Sequence, residues 1–320
     1  IVPYYSVIGG WVIKYLVEYF SGHSKALAGD TYFTSFISNG ISTEICFLIF
    51  TLFTLGIIYA GVRNGIERVS KFMMPILIVL SLIIAVYSVT RPGAIEGVKY
   101  FLVPNFEHFS WMTVVSAMGQ MFYSLSIAMG ILITFGSYMK KDTSIEKSTE
   151  NVEIFDTAIA IMAGLMIIPA VFAFSGGNAE TLKSGPALMF ITIPKVFANM
   201  GFGTAIGIVF FLLVLFAAVT SSIALTESAV STFEDELHWS RRKSTVFMGV
   251  IMILLGTLSC LGYGPLVDFK ILGMQFLDFF DFITNSVMMP IAAIAICLLV
   301  SRVIGVNGIE EEVMHGENKF

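Results

Sequence analysis

Charged side chains are scarce in this sequence. Asp, Glu, Lys and Arg make up 13% of the 320 residues, whereas a soluble domain carries roughly 25%. Hydrophobic residues make up 56%, and the mean hydropathy is +0.85. The net charge of -5 is small and no basic stripe accompanies it, which excludes a nucleic-acid partner. The composition is that of an integral membrane protein, whose first partner is the lipid bilayer.

Residues that usually carry chemistry are equally few. The three cysteines lie in separate apolar segments, which argues against both a disulfide framework and a zinc site. The four histidines fall in predicted connections and are not paired at the spacing of metal ligands. Because the sequence shows neither a nucleophile with its base nor a metal cluster, we do not expect an enzyme. The residues concerned are Cys46, Cys260, Cys297, His23, His108, His238 and His315.

Long apolar runs dominate what is present. Because a membrane-spanning helix needs roughly 20 mostly apolar residues, the pattern predicts about eight passes and an all-α membrane protein. The passes are 1–20, 42–62, 70–90, 112–139, 152–175, 203–233, 245–263 and 272–302. We expect a multi-pass protein of the plasma membrane. The chain opens inside an apolar run and leads into a polar connection after Arg302, so it is expected to be a fragment.

The distribution of Lys and Arg predicts the orientation of these passes. The short connections near residues 64, 143 and 240 hold the denser basic charge, and we expect them on the cytoplasmic side. The longer connections near residues 30, 98, 188 and 267 are then external.

A polar interruption of the fourth predicted pass is the candidate binding site. Gln120, Ser124 and Ser126 lie among small residues in a segment that is otherwise apolar. Within a bilayer, an interrupted helix is tolerated only where its main chain faces protein, water or a ligand. Transporters use such broken helices to present carbonyls and half-helix ends to ions and solutes.

Three further polar residues lie inside apolar passes. Thr220 and Ser221 carry adjacent hydroxyls, which either ligate a hard cation such as sodium or bond back to a carbonyl one turn earlier. Asp156 lies about one turn inside a predicted pass, where a carboxylate indicates a functional site by default. The alternative for Asp156 is an interfacial residue near the cytoplasmic end.

Several short motifs, in order along the chain, resemble those of the neurotransmitter:sodium symporters of the LeuT type. Each motif is weak alone, but together they keep one register over essentially the whole chain. They are the run from Gly119-Gln120 through Ser126 to Tyr138, the triplet Thr220-Ser221-Ser222, the sequence Phe233-Glu234-Asp235-Glu236-Leu237, and Tyr4-Tyr5 with Trp11. In that family's order the chain resembles helices three, from its middle, to ten.

The resemblance implies a LeuT-type bundle of two inverted five-helix repeats. Residues 1–320 would form a single transmembrane transporter domain, in which 1–90 is the end of the first repeat and 111–302 is the second repeat. Helices one and two, and whatever follows helix ten, would be missing, so the bundle would be truncated at both ends. The intact protein is expected to transport, whereas the truncated chain is not.

The resemblance also implies two sodium sites. The second site would take Thr220, Ser221 and the carbonyl of Ala217, and the first would take Ser124 and Asp156. Gln120 and Ser124 match positions of the chloride site found in many members. Those members often carry Asn where this chain carries Asp156, so the carboxylate would replace the halide charge, and we predict that chloride is not required.

A zwitterionic amino acid is the implied substrate. Tyr5 matches the tyrosine whose hydroxyl holds the substrate carboxylate, although a core tyrosine bonded to a carbonyl is the ordinary alternative. Carbonyls of the unwound segment, which includes Phe122, Tyr123 and Ser126, would meet the amine. The side-chain pocket would be lined by Ile1, Tyr123, Ser126, Met129, Ser222 and Leu225. These walls suit a neutral hydrophobic or aromatic amino acid. Ala128 departs from a frequent Gly, which leaves the substrate's size open.

The same resemblance implies residues that form the gates of the transport path. Asp281 matches the external-gate carboxylate, and Asp235 and Tyr138 match cytoplasmic-gate residues. A solvated charge in an acidic loop is the alternative for Asp235. The spacing from Gly65 to Pro75 resembles a stretch of helix five that, in this family, unwinds to release sodium. Such a stretch can unwind at low cost because Pro removes a helical hydrogen bond and Gly weakens the helix. An inert junction between loop and helix would look similar.

The function that this resemblance implies is sodium-coupled symport of a neutral amino acid by alternating access. The alternatives are a proton-coupled transporter of the same fold, in which Asp156 would titrate, and an amino-acid receptor that does not transport. The sequence leaves the particular amino acid, the stoichiometry and the oligomeric state open.

Overall fold

The computed structural model describes residues 1–107, 109–178, 182 and 185–317. Within those residues the fold is helical, and the short bridge between Ile271 and Met274 is the only β pairing. The helices are α1 (Val2–Phe20), α2 (Ser24–Leu27), α3 (Tyr32–Ser38), α4 (Gly40–Tyr59), α5 (Arg68–Val89), α6 (Ala94–Leu102), α7 (Trp111–Ser124), α8 (Ile131–Ser137), α9 (Ile145–Ser175), α10 (Ile193–Ala198), α11 (Gly203–Leu237), α12 (Arg241–Leu261), α13 (Phe276–Asp281), α14 (Met289–Leu299) and α15 (Gly305–Glu317). In the described part of the chain, π-helical segments adjoin them at Val62–Glu67, Leu188–Thr192, Phe282–Met288 and Val300–Ile304.

Six helical stretches in the described part of the chain are long and apolar enough to cross a membrane. They are Gly40–Tyr59, Val62–Val89, Ile145–Ser175, Gly203–Leu237, Arg241–Leu261 and Phe276–Met314. The other two expected passes are α1, which is largely enclosed by protein, and the region 112–139, which is divided into α7 and α8. The last stretch runs beyond the predicted end at residue 302, because the polar residues there still favour a helix.

Helix α1 lies at the centre of the bundle and packs against α4, α11 and α12. Its aromatic side chains form the core: Trp11 and Tyr15 are fully buried. The Tyr15 hydroxyl donates a 2.8 Å hydrogen bond to the carbonyl of Phe190, which satisfies the one polar group that the ring buries. This packing fixes the first turn of α1, including Ile1 and Tyr5, beside α11.

The fourth predicted pass is broken where its sequence turns polar. Helix α7 ends at Ser124 and α8 begins at Ile131. Between them Ser126 and Ala128 adopt φ values of 57° and 65°, and Gly130 adopts 77°. Left-handed backbone at residues other than Gly is uncommon and is found preferentially at functional sites. The break therefore stores strain at the position where a ligand would use the exposed main chain.

Candidate functional site

A cavity of about 420 Å³ opens at this break. Five elements contribute to it: the start of α1, helix α5, the two broken halves α7 and α8 with their connection, and the middle of α11. Its lining residues are Ile1, Tyr5, Met74, Gln120, Tyr123, Ser124, Ser126, Met129, Ile131, Thr220, Ser221, Ala224 and Leu225. Polar atoms gather beside apolar walls, which is the usual constitution of a small-molecule site.

Most of the residues assigned to the substrate from sequence share this cavity. Ile1, Tyr5, Tyr123, Ser126, Met129 and Leu225 line it. Phe122 lies on the other side of the break, in a small groove against α14. Ser222 is fully buried, and its hydroxyl accepts a 3.4 Å hydrogen bond from Thr54 of α4. Ser222 thus faces α4 because one residue along a helix turns the side chain by about 100° from Ser221.

The two candidate ligands of the first sodium site are in direct contact. The Ser124 hydroxyl donates a 2.7 Å hydrogen bond to Oδ1 of Asp156, which joins the end of α7 to the middle of α9. Asp156 is half-buried and faces the break. A carboxylate and a hydroxyl held together supply the hard oxygen atoms that sodium requires. Gln120, one turn before Ser124, lines the same cavity.

The candidate ligands of the second site lie across the cavity on α11. The Thr220 hydroxyl donates 3.0 Å hydrogen bonds to the carbonyls of Phe216 and Ala217, as Thr often does in spanning helices. The same geometry brings the Ala217 carbonyl and the Thr220 hydroxyl together as neighbouring oxygen atoms. Ser221 lines the cavity and interacts with the Tyr5 side chain. Among the described residues no hydrogen bond from the Tyr5 hydroxyl to a carbonyl is found.

A polar chain lies beside the cavity at the position of the expected external gate. Asp281 accepts a 2.6 Å hydrogen bond from the amide of Asn285. The same amide donates to the hydroxyl of Tyr4 at 3.3 Å, and Tyr4 also lies 3.4 Å from the Thr284 hydroxyl. Because Tyr4 precedes Tyr5, this chain connects Asp281 to the part of α1 that lines the cavity.

The end of the bundle that holds the connection near residue 240, predicted to be cytoplasmic, has a charged cluster that the sequence reasoning missed. Glu227 is fully buried within α11, and its carboxylate lies 2.6 Å from Nη2 of Arg241 in a two-pronged ion pair. Tyr138 donates a 2.6 Å hydrogen bond to Glu227, and Arg241 also donates to the carbonyl of Ile58. The sequence did contain a sign of this cluster, since the carboxylate of Glu227 lies inside an apolar pass and such a group requires a partner. Asp235 is exposed, and no ion pair to it occurs among the described residues.

The stretch expected to unwind on helix five has a distinct local geometry. Gly65 lies in the π-helical segment Val62–Glu67, and Pro75 lies within α5. A Cβ atom at Gly65 would come within 2.1 Å of the carbonyl oxygen of Ile57, so only Gly permits this close approach to α4. Irregular helix of this kind is frequent at functional sites.

These features together define a multi-pass membrane protein of the transporter class with a cavity at a broken helix. The chain belongs to the sodium:neurotransmitter symporter family, whose profile matches residues 16–317. The sodium-dependent transporter YhdH of Bacillus subtilis is 36% identical over 321 residues, which cover 99% of this chain and 70% of that protein. A sodium-dependent transporter of Haemophilus influenzae is 32% identical, covering 95% of this chain and 67% of that protein.

A solved structure agrees with the fold. The crystal structure of MhsT in complex with L-phenylalanine superposes with a TM-score of 0.85 and 35% sequence identity, and the match covers 98% of this chain and 71% of that chain. The all-α membrane fold of the LeuT type, the transporter class and the location in the plasma membrane, all expected from the sequence, are thereby confirmed. The protein is a sodium-coupled symporter and not an enzyme.

Proposed function

We propose that this chain provides most of the binding site of a symporter that carries a neutral, hydrophobic or aromatic amino acid with two sodium ions. One observation carries the proposal: a single cavity joins the hydroxyls of Ser124, Thr220 and Ser221 to apolar walls at a broken helix. The same cavity includes Tyr5, which carries a hydroxyl suited to a carboxylate. The domain division at 1–90 and 111–302 remains part of this proposal.

The proposed sodium ligands suit a hard monovalent cation. Sodium needs several oxygen ligands, by the same logic as other hard cations. The Ala217 carbonyl and the Thr220 hydroxyl are adjacent on α11, with Ser221 beside them. Ser124 and Asp156 form the second pair of oxygens.

The proposed substrate follows from the cavity's apolar side. Ile1, Met129 and Leu225 leave room for an uncharged side chain, and the cavity lining contains no charged side chain to pair with a charged substrate. The structural relative MhsT was crystallised in complex with L-phenylalanine, which is a neutral aromatic amino acid. The strained connection from Ser126 to Gly130 offers main-chain groups to the zwitterion.

Asp156 leads to the proposal that chloride is not required. Its carboxylate already places a negative charge beside Ser124 and within reach of the proposed first site. A second anion at Gln120 and Ser124 would be repelled, since like charges at short range are unfavourable in a medium of low dielectric. The fixed carboxylate thus does the electrostatic work of a bound halide.

Alternating access would couple the two gradients. Sodium ions stabilise the state in which oxygen ligands from several helices are assembled, so their binding shifts the population of outward and inward states. Each inward charge contributes about 2.3 kcal/mol per 100 mV of membrane potential. The gates proposed at Asp281, Asp235 and Tyr138, and the unwinding proposed between Gly65 and Pro75, would close and open the two sides.

Uptake of labelled amino acids into vesicles tests the proposal. The full-length parent protein is reconstituted, and sodium and chloride are each replaced in turn. We expect uptake of hydrophobic amino acids that requires sodium and continues without chloride. Uptake that depends on a pH gradient but not on sodium would favour the proton-coupled alternative, and binding without uptake would favour the receptor.

A further inference from the structure

A second, almost wholly apolar groove lies on the outer side of the bundle. Its volume is about 580 Å³, and it is formed by α1, α4, α5 and α11. The side chains along its rim face outward: Phe53 is 54% exposed and Phe72 is 66% exposed. Both rim residues belong to helices long and apolar enough to span the bilayer. The groove therefore opens towards the region that acyl chains occupy.

One charged side chain stands among the apolar residues of this groove. Arg68, the first residue of α5, lines it together with Val69, Phe72 and Met73. Arg68 is exposed and forms no ion pair within the described part of the chain, whereas its neighbours Glu67 and Lys71 are paired at 2.6 Å. The connection near residue 64 is one of the three whose basic residues predict a cytoplasmic location.

We propose that this groove binds an anionic phospholipid of the cytoplasmic leaflet. One acyl chain would lie between α4 and α5, and the headgroup phosphate would meet the guanidinium of Arg68. Burial of apolar carbon in the groove and pairing of a phosphate with Arg are separate stabilising contributions. Basic residues at the cytoplasmic ends of spanning helices recognise acidic lipids in this way.

The groove shares its inner wall with the candidate site. On α5, Met73 faces the groove and Met74 faces the cavity. On α11, Phe216 and Val219 line the groove, whereas Thr220 lines the cavity and bonds to the carbonyl of Phe216. A movement that parts α5 from α11 would therefore reshape both spaces. A bound acyl chain would stabilise the arrangement in which these two helices are in contact.

Photolabelling of the full-length parent locates the lipid. The protein is reconstituted in phosphatidylcholine vesicles that contain phosphatidylglycerol with a photoactivatable acyl chain, and the labelled positions are mapped by mass spectrometry. We expect labels on Phe53, Phe72 and their neighbours in α4 and α5. Labels distributed evenly over the lipid-facing helices, or absent from these two helices, would overturn the proposal.

Two arginine variants separate a site from general surface attraction. Arg68→Gln removes the groove arginine, and Arg63→Gln removes an exposed arginine of the same segment that does not line the groove. We expect Arg68→Gln to lower the preference for phosphatidylglycerol over phosphatidylcholine about fivefold, which corresponds to about 1 kcal/mol for one basic side chain. We expect Arg63→Gln to change the logarithm of this lipid preference by less than half of the change in Arg68→Gln. Equal losses in both variants would show diffuse attraction and contradict the site.

A third variant tests the acyl-chain part of the proposal. Val69→Trp places a large ring in the groove while leaving Arg68 in position. We expect photolabelling of α4 and α5 by the phosphatidylglycerol probe to fall, while its labelling of the other lipid-facing helices is retained. Undiminished labelling would mean that the acyl chain lies elsewhere.

Discussion

Ser124 and Asp156 are joined by a hydrogen bond of 2.7 Å that links the end of α7 to α9. The bond places a carboxylate at the break in the fourth pass, beside the cavity that Ser124 lines. An acidic group is costly in this environment unless it is paired or binds a cation. The pair is consequently the most specific electrostatic feature of the candidate site.

The first prediction concerns the charge of Asp156. Asp156→Asn keeps the shape of the side chain but removes the fixed negative charge beside Ser124. We expect the variant either to require chloride for uptake or to lose uptake altogether. Vesicle uptake with chloride or gluconate measures the difference, and Asp142→Asn, in an exposed connection, serves as control. Full uptake by Asp156→Asn without chloride would refute the charge argument.

The second prediction concerns the hydroxyl of Thr220. Thr220→Val preserves the branched side chain and removes one oxygen atom near the Ala217 carbonyl. We expect the sodium concentration for half-maximal amino-acid binding to rise about tenfold, because one interaction with a charged group contributes roughly 1.5–3 kcal/mol.

A threonine of the same helix provides the matched control for Thr220. Thr226 is buried and bonds back to the carbonyl of Ser222 at 2.7 Å, but it does not line the cavity. Thr226→Val should leave the sodium dependence nearly unchanged. If both variants shift the sodium dependence equally, the Thr220 hydroxyl has no special relation to the ion.

The sequence predicted the break and most of the cavity because both depend on local pattern. Polar and small residues interrupt an apolar pass. The adjacent hydroxyls of Thr220 and Ser221 are not required for the structure of an apolar helix, so they indicate a site. The direction in which each helical side chain points was harder to predict. Ser222 turns to Thr54 of α4, and Phe122 turns away from the cavity, because the rotation of each helix depends on packing against distant segments.

The pairing of Glu227 with Arg241 was missed for a related reason. The two residues are separated by the end of α11 and the start of α12, so nothing local in the sequence indicates that they meet. The basic charge near residue 240 predicts only the side of the membrane on which Arg241 lies. Its pairing with Glu227 and its hydrogen bond to the Ile58 carbonyl are tertiary features.

The third prediction tests that ion pair. Arg241→Gln leaves the fully buried Glu227 without its cation, and removal of one partner of a buried pair costs about 3 kcal/mol or more. We expect a clear fall in the thermal stability of the purified protein. Lys71→Gln removes the cation of the exposed pair with Glu67, and its effect should stay below about 1 kcal/mol. Similar losses of stability in the two variants would contradict the buried role of Glu227.

The fourth prediction concerns the close approach at Gly65. Gly65→Ala would place a Cβ atom 2.1 Å from the Ile57 carbonyl, so the segment before α5 must shift. We expect reduced uptake and lower thermal stability. Gly56→Ala in α4 meets no atom within 4 Å and should be neutral or slightly stabilising, since Ala favours a helix over Gly by roughly 1 kcal/mol. If Gly65→Ala leaves uptake and thermal stability unchanged, the close contact between Gly65 and the Ile57 carbonyl is not required.

The sodium dependence of amino-acid binding by the full-length parent tests directly whether sodium ions assemble the amino-acid site. Equilibrium binding of labelled L-phenylalanine, or of another hydrophobic amino acid that the uptake assay identifies, is measured over a sodium titration at constant ionic strength without chloride. We expect no binding without sodium and a sigmoidal rise with a Hill coefficient above one, because two ions assemble the site. Binding that is independent of sodium would contradict this expectation.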